Sequence, residues 1–145
     1  MGFKLNQTKY KSMKKITLKT LNDATAQEVF DQVAVHLLTQ KARSKGLTGC
    51  AYRSKEGLKC AAGCLIADCE YDPSFDDVNQ NTQWKTLVLK GKVPDRHEIL
   101  IMDLQNIHDY SAPEEWKLRL FNLAYENKLS SDFLREFVTK QNLAD

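Results

Sequence analysis

Long apolar runs are missing from this 145-residue chain. Stretches such as Ile99-Leu-Ile-Met102, closed by Asp103, fall far short of the roughly 20 residues that a membrane helix needs. No membrane partner is therefore expected. The N-terminus lacks an uninterrupted hydrophobic stretch, because Lys4, Lys9, Lys11, Lys14 and Lys15 break up its few apolar residues. A secretory signal is therefore not expected, and the expected location is cytoplasmic. Met1-Gly2 is followed by Asn6 where a myristoylation signal carries Ser or Thr, so no lipid anchor is expected either. There is no Walker loop, Gly-x-Gly-x-x-Gly, His-Glu-x-x-His or Gly-x-Ser-x-Gly string. The common nucleotide, zincin and serine hydrolase classes fall away with them, and no cofactor is implied.

Acid is absent from residues 1–20, which hold six lysines, so the formal net charge of +2 conceals a net acidic remainder. The division this suggests is a basic arm over 1–20 and one globular domain over 21–145. An arm of this kind can meet nucleic acid or an acidic partner through Lys9, Lys11, Lys14 and Lys15.

Within the domain the pattern is helical. Thr25-Ala-Gln-Glu28 is a capping box, and Val29, Phe30, Val33, Leu37 and Leu38 recur at three-to-four spacing. Lys41, Arg43 and Lys45 ahead of Gly46 suit a helix C-terminus and a glycine cap, which predicts a helix over about 26–44. Gly49, Gly57 and the turn-forming Ser54-Lys-Glu-Gly57 predict a small β-hairpin near 49–60. A short helix should follow from Ala61, and Trp84–Leu89 reads as a short helix or strand. Glu98–His108 carries a stripe of Leu100, Leu104 and Ile107. Ser111-Ala-Pro-Glu114 reads as a second capping box ahead of Trp116, Leu120, Leu123 and Ala124, with Tyr125 on the same apolar side. Ser131 should begin the last helix. The expected class is mainly α, a compact helical domain with a small hairpin, or α+β if that hairpin extends.

All four cysteines, Cys50, Cys60, Cys64 and Cys69, fall within twenty residues, and a chain without an export signal should hold them as reduced thiols. Cys60 sits where a turn enters a helix beside Lys59. Both features would lower its thiol pKa, so Cys60 is the candidate nucleophile, with His108 as base and Asp109 to orient it. Packing is the competing role, since free cysteine behaves as a small hydrophobe. Cys60 and Cys64, one helical turn apart, lack the Cys-x2-Cys spacing of a zinc knuckle. The alternation Asp68, Glu70, Asp72, Ser74, Asp76 fails as a calcium loop, because Pro73 and Asn79 occupy the glycine and glutamate positions. No metal is expected. Asp72, Asp76 and Asp77 instead offer an acidic loop to a basic partner, and Tyr52 with Arg53 offers a stacking and charge pair.

Cys50-Ala-Tyr-Arg53, Gly57-Leu-Lys-Cys60-Ala-Ala-Gly63-Cys64-Leu-Ile with Asp68 and Tyr71, and Leu104-Gln-Asn-Ile-His108-Asp109 with Trp116 resemble a group of short uncharacterised proteins of bacteria and tailed phages. The likeness covers about residues 20–130. It implies a small accessory protein, phage-encoded, inside a bacterial cell, and carries no catalytic residue. Over four residues Cys-Ala-Ala-Gly also resembles the nucleophile turn of cell-wall hydrolase cysteine peptidases, without the strands that follow it there. The expected function is non-enzymatic: binding a host macromolecule, a protein first and nucleic acid second, to modulate or inhibit it. The alternative is a thiol-dependent hydrolase or transferase using Cys60 and His108.

Overall fold

The computed structural model of the chain describes residues 14–144. Its first long helix starts where the capping box puts it. The Thr25 hydroxyl accepts the Glu28 amide at 3.1 Å and the Glu28 carboxylate accepts the Thr25 amide at 2.9 Å, which opens α1 (Ala26–Gln40). Val29, Phe30, Val33, Ala34 and Leu37 are fully buried along it.

The far end of α1 corrects the expectation of a helix to residue 44. The helix stops at Gln40, and Lys41 rather than a glycine takes the left-handed conformation at φ 56°. The reason is tertiary. Arg43 donates to the carbonyls of His108 and Ser111 at 3.2 and 2.5 Å, and the Ser44 amide donates to the His108 ring at 3.0 Å. Residues 43 and 44 thus serve the C-terminus of another helix, whose orphan carbonyls need donors.

The remaining helices are α2 (Trp84–Leu89), α3 (Glu98–Tyr110), α4 (Trp116–Glu126) and α5 (Asp132–Ala144). The chain is mainly helical. The expected hairpin reduces to two isolated antiparallel bridges, Lys45 to Cys50 and Arg53 to Lys59, the second closed by a turn at Ser54–Gly57. A 3-10 turn over Ala62–Leu65 stands where a short helix was expected. It lies so close to the 50–53 segment that a Cβ at Gly63 would collide with the Tyr52 carbonyl.

Ser111-Ala-Pro-Glu114 does not form its capping box. Ser111 is instead the C-cap of α3, and Pro113–Glu115 makes a 3-10 turn without a side-chain cap. The Ser111 carbonyl is held by Arg43 and by the Trp116 indole N–H, 3.2 Å away.

Central α1 packs against α3, α4 and α5, while α2 and the Ala62–Leu65 turn pack on α3. Trp116, fully buried, is the largest side chain in this core. Tyr125 is no part of it: at 86% exposure it corrects the expectation of an apolar contact there.

Residues 14–20, the described part of the expected arm, are docked on the domain. Ile16 is buried, and Gln32 both accepts from its amide at 2.6 Å and donates to its carbonyl at 2.9 Å. The amides of Leu18 and Lys19 donate to the Glu70 carboxylate at 3.0 and 2.9 Å. Among the described residues no helix is long and apolar enough to cross a membrane.

Candidate functional site

The last turn of α3 carries a buried polar relay. The His108 ring is fully buried and stacks on Trp116, with centroids 5.5 Å apart and planes at 26°. A backbone amide can only donate, so the Ser44 N–H at 3.0 Å makes Nε2 of His108 an acceptor. The ring proton is therefore on Nδ1, which donates to Asp109 Oδ1 at 2.8 Å. The same oxygen accepts from Gln105 Nε2 at 2.7 Å, and Gln105 Oε1 accepts the Ala62 amide at 2.9 Å. Gln105 and Asp109 meet because four residues along a helix share one face.

This relay aims Asp109, 24% exposed, at a cavity of about 200 Å³ lined by Cys50, Tyr52, Cys60, Trp84, Gln105 and Asp109. Cys50, not Cys60, stands beside the histidine and the carboxylate: ligand atoms of Cys50, His108 and Asp109 all lie within 4.8 Å of one another. Burial, and then the Asp109 carboxylate, push the Cys50 thiol up to about 11. The trio does not suit a metal ion, since Nδ1 holds a proton and Nε2 is taken by the Ser44 amide. Neither nitrogen has a lone pair to give while that bond stands.

Cys60 departs from the acidified thiolate that its position beside Lys59 suggests. It is buried, its sulfur accepts the Gly63 amide at 3.3 Å, and burial pushes its thiol well up. Desolvation outweighs that hydrogen bond, and the turn that follows is only four residues long, too short to add a large dipole. Cys64 is likewise pushed up to about 12 by burial.

The expected binding residues are partly committed inside the fold. The amides of Tyr52 and Arg53 both donate to the Asp76 carboxylate, at 2.8 and 3.2 Å, and the Tyr71 hydroxyl joins them at 2.5 Å. The Tyr52 hydroxyl donates to the Thr82 carbonyl at 2.5 Å. Arg53 pairs with Asp68 at 2.7 Å, donates to the Ile66 carbonyl at 2.7 Å and lies over the Tyr71 ring. Asp72 accepts the Ser74 amide, which holds its carboxyl below the usual range, and Asp77 accepts the Asn79 amide and the Gln80 side chain. The acidic loop is thus tied largely into its own turns. Lys14 and Lys15 are exposed, and Lys9 and Lys11 lie outside the described residues.

Ser44 and Gln105 carry the relay, and neither stands out in the sequence as a site residue. Gln105-x-x-x-Asp109 was the one available signal, a helical pair with matched donor and acceptor. Set beside protein families, curated proteins and solved structures, the chain matches none of them.

Proposed function

We propose that the chain is a small accessory binding protein that occupies a host macromolecule, a protein first, inside a bacterial cell. Its resemblance to short phage and bacterial proteins supplies that setting. The observation that carries the reading is the closed relay: His108 has no free basic nitrogen, and both thiols on the cavity wall hold their protons. A nucleophilic enzyme needs a thiolate, or a thiol beside an open base. A recognition site needs only rigid groups at a surface, and the relay supplies a carboxylate held by two hydrogen bonds. The cavity edge adds Met102, Asn106 and Tyr110 at helical spacing on α3, and Ile99, one turn before Met102, extends the row, with Ile99 and Tyr110 73% and 81% exposed.

A photo-cross-linker at Tyr110, in a bacterial host, tests this directly. The expected result is a stoichiometric adduct with one host macromolecule that Asp109→Lys abolishes while leaving the helical signal intact. Absence of any adduct, together with substrate turnover that Cys50→Ser or Cys60→Ser eliminates, would put the thiol-dependent hydrolase or transferase in its place.

A further inference from the structure

We infer a second site, independent of the first: the cleft between the docked N-terminal segment and the Cys60–Cys64 turn binds a phosphate group. The cleft, about 310 Å³, is lined by Lys14, Lys15, Gln32, His36, Lys59 and Cys64, with Val35 between them. None of these described residues is acidic. Lys14 and Lys15 are not on a loose tail, since the two hydrogen bonds between Gln32 and Ile16 and the Glu70 clasp on Leu18 and Lys19 hold the backbone beside them.

The positive charge in the cleft is under-compensated. The carboxylate nearest Lys59, Asp68, is 3.9 Å away and makes its short bond, 2.7 Å, to Arg53. Burial and then the like charges of Arg53 and Lys15 push the Lys59 ammonium down. His36 is also held below its usual range, by burial first and then by Lys59 among its neighbours, although its Nε2 bonds the Lys59 carbonyl at 2.9 Å. Ammonium groups left with one shared, distant carboxylate are relieved by an oxyanion, and a phosphate brings two negative charges and several acceptor oxygens to three flexible donors. The source is either a phosphodiester backbone or a small phosphorylated molecule.

Two titrations of the full chain decide it, one with inorganic phosphate against chloride at equal ionic strength and one with a fluorescent single-stranded oligonucleotide. Saturable phosphate binding is expected, with amide shifts at Lys15, His36 and Lys59 and with the His36 titration moving to higher pH. The Lys15→Gln/Lys59→Gln variant should bind about tenfold more weakly at an unchanged melting temperature, as loss of two charge-assisted contacts implies. If the oligonucleotide binds much more tightly than phosphate, and its salt dependence becomes shallower by about 0.7 per lysine removed, the source is a nucleic acid backbone. If it binds no tighter than phosphate, the source is a small phosphorylated ligand. No saturable binding of either probe, or equal binding by the double variant, overturns the inference.

Discussion

Cys60 lines the cavity beside Asp109 and Cys64 lines the lysine cleft, four residues apart on one turn. The two sides treat polar groups in opposite ways. At the cavity, Ser44, His108, Asp109, Gln105 and Ala62 form one chain of hydrogen bonds in which donors meet acceptors. At the cleft, lysines converge with one shared carboxylate at 3.9 Å. A satisfied buried network rigidifies what it holds, whereas crowded like charges leave attraction for a ligand of opposite sign. The same turn therefore carries a fixed recognition surface on one side and an electrostatic one on the other.

The joint between the two sides is Gly63, and breaking it should have the largest effect. Gly63→Ala forces a methyl against the Tyr52 carbonyl, which backbone movement must relieve at about 3 kcal/mol, read as a lower urea midpoint. His108→Ala comes next. It strands the Ser44 amide and leaves a void under Trp116, and a loss of about 2–3 kcal/mol is expected by the same unfolding measurement. A result near zero would mean that the relay is not structural.

Acid separates the two sides more finely. The folded pKa of His36 lies below its unfolded value of 6.5. The unfolded chain thus binds more protons as pH falls through that window. The His36 contribution leaves stability undiminished above 6.5 and erodes it below, and His36→Gln should flatten that part of the pH profile. Asp109→Asn keeps an oxygen for the His108 and Gln105 donors, so its stability cost should be within about 1 kcal/mol. Its signature lies elsewhere: without the carboxylate, the Cys50 thiol should fall from about 11, seen as faster alkylation at lower pH. The smallest effect is expected for Lys59→Gln, within about 0.5 kcal/mol of the parent, because it relieves repulsion as well as losing a weak ion pair.

Much of the helical plan was legible because its causes are local. The Thr25–Glu28 box and the three-to-four spacing of Val29, Phe30, Val33 and Leu37 act within one or two turns, and α1 begins where they place it. The second box at Ser111 was equally local in form, yet the Arg43 side chain, 68 positions away, decided the role of that residue. The hairpin failed to extend for a related reason: Tyr52 and Arg53 spend their amides on Asp76 instead of on a partner strand. His108 and Asp109 were identifiable as a pair from adjacency alone. Their thiol neighbour was not, since Cys50 and Cys60 both lie dozens of positions before His108, and separation at that range does not say which of them meets it in space.

The sequence by itself determined the helical class, the start of α1, the apolar faces and the charge asymmetry between the first twenty residues and the rest. These follow from periodicity, capping and composition, which act over a few residues. Only the tertiary structure decided which thiol faces Asp109, which nitrogen of His108 carries the proton and which lysines converge. Each of those depends on groups that the chain brings together from dozens of positions apart, where burial and a single backbone amide outweigh every local preference.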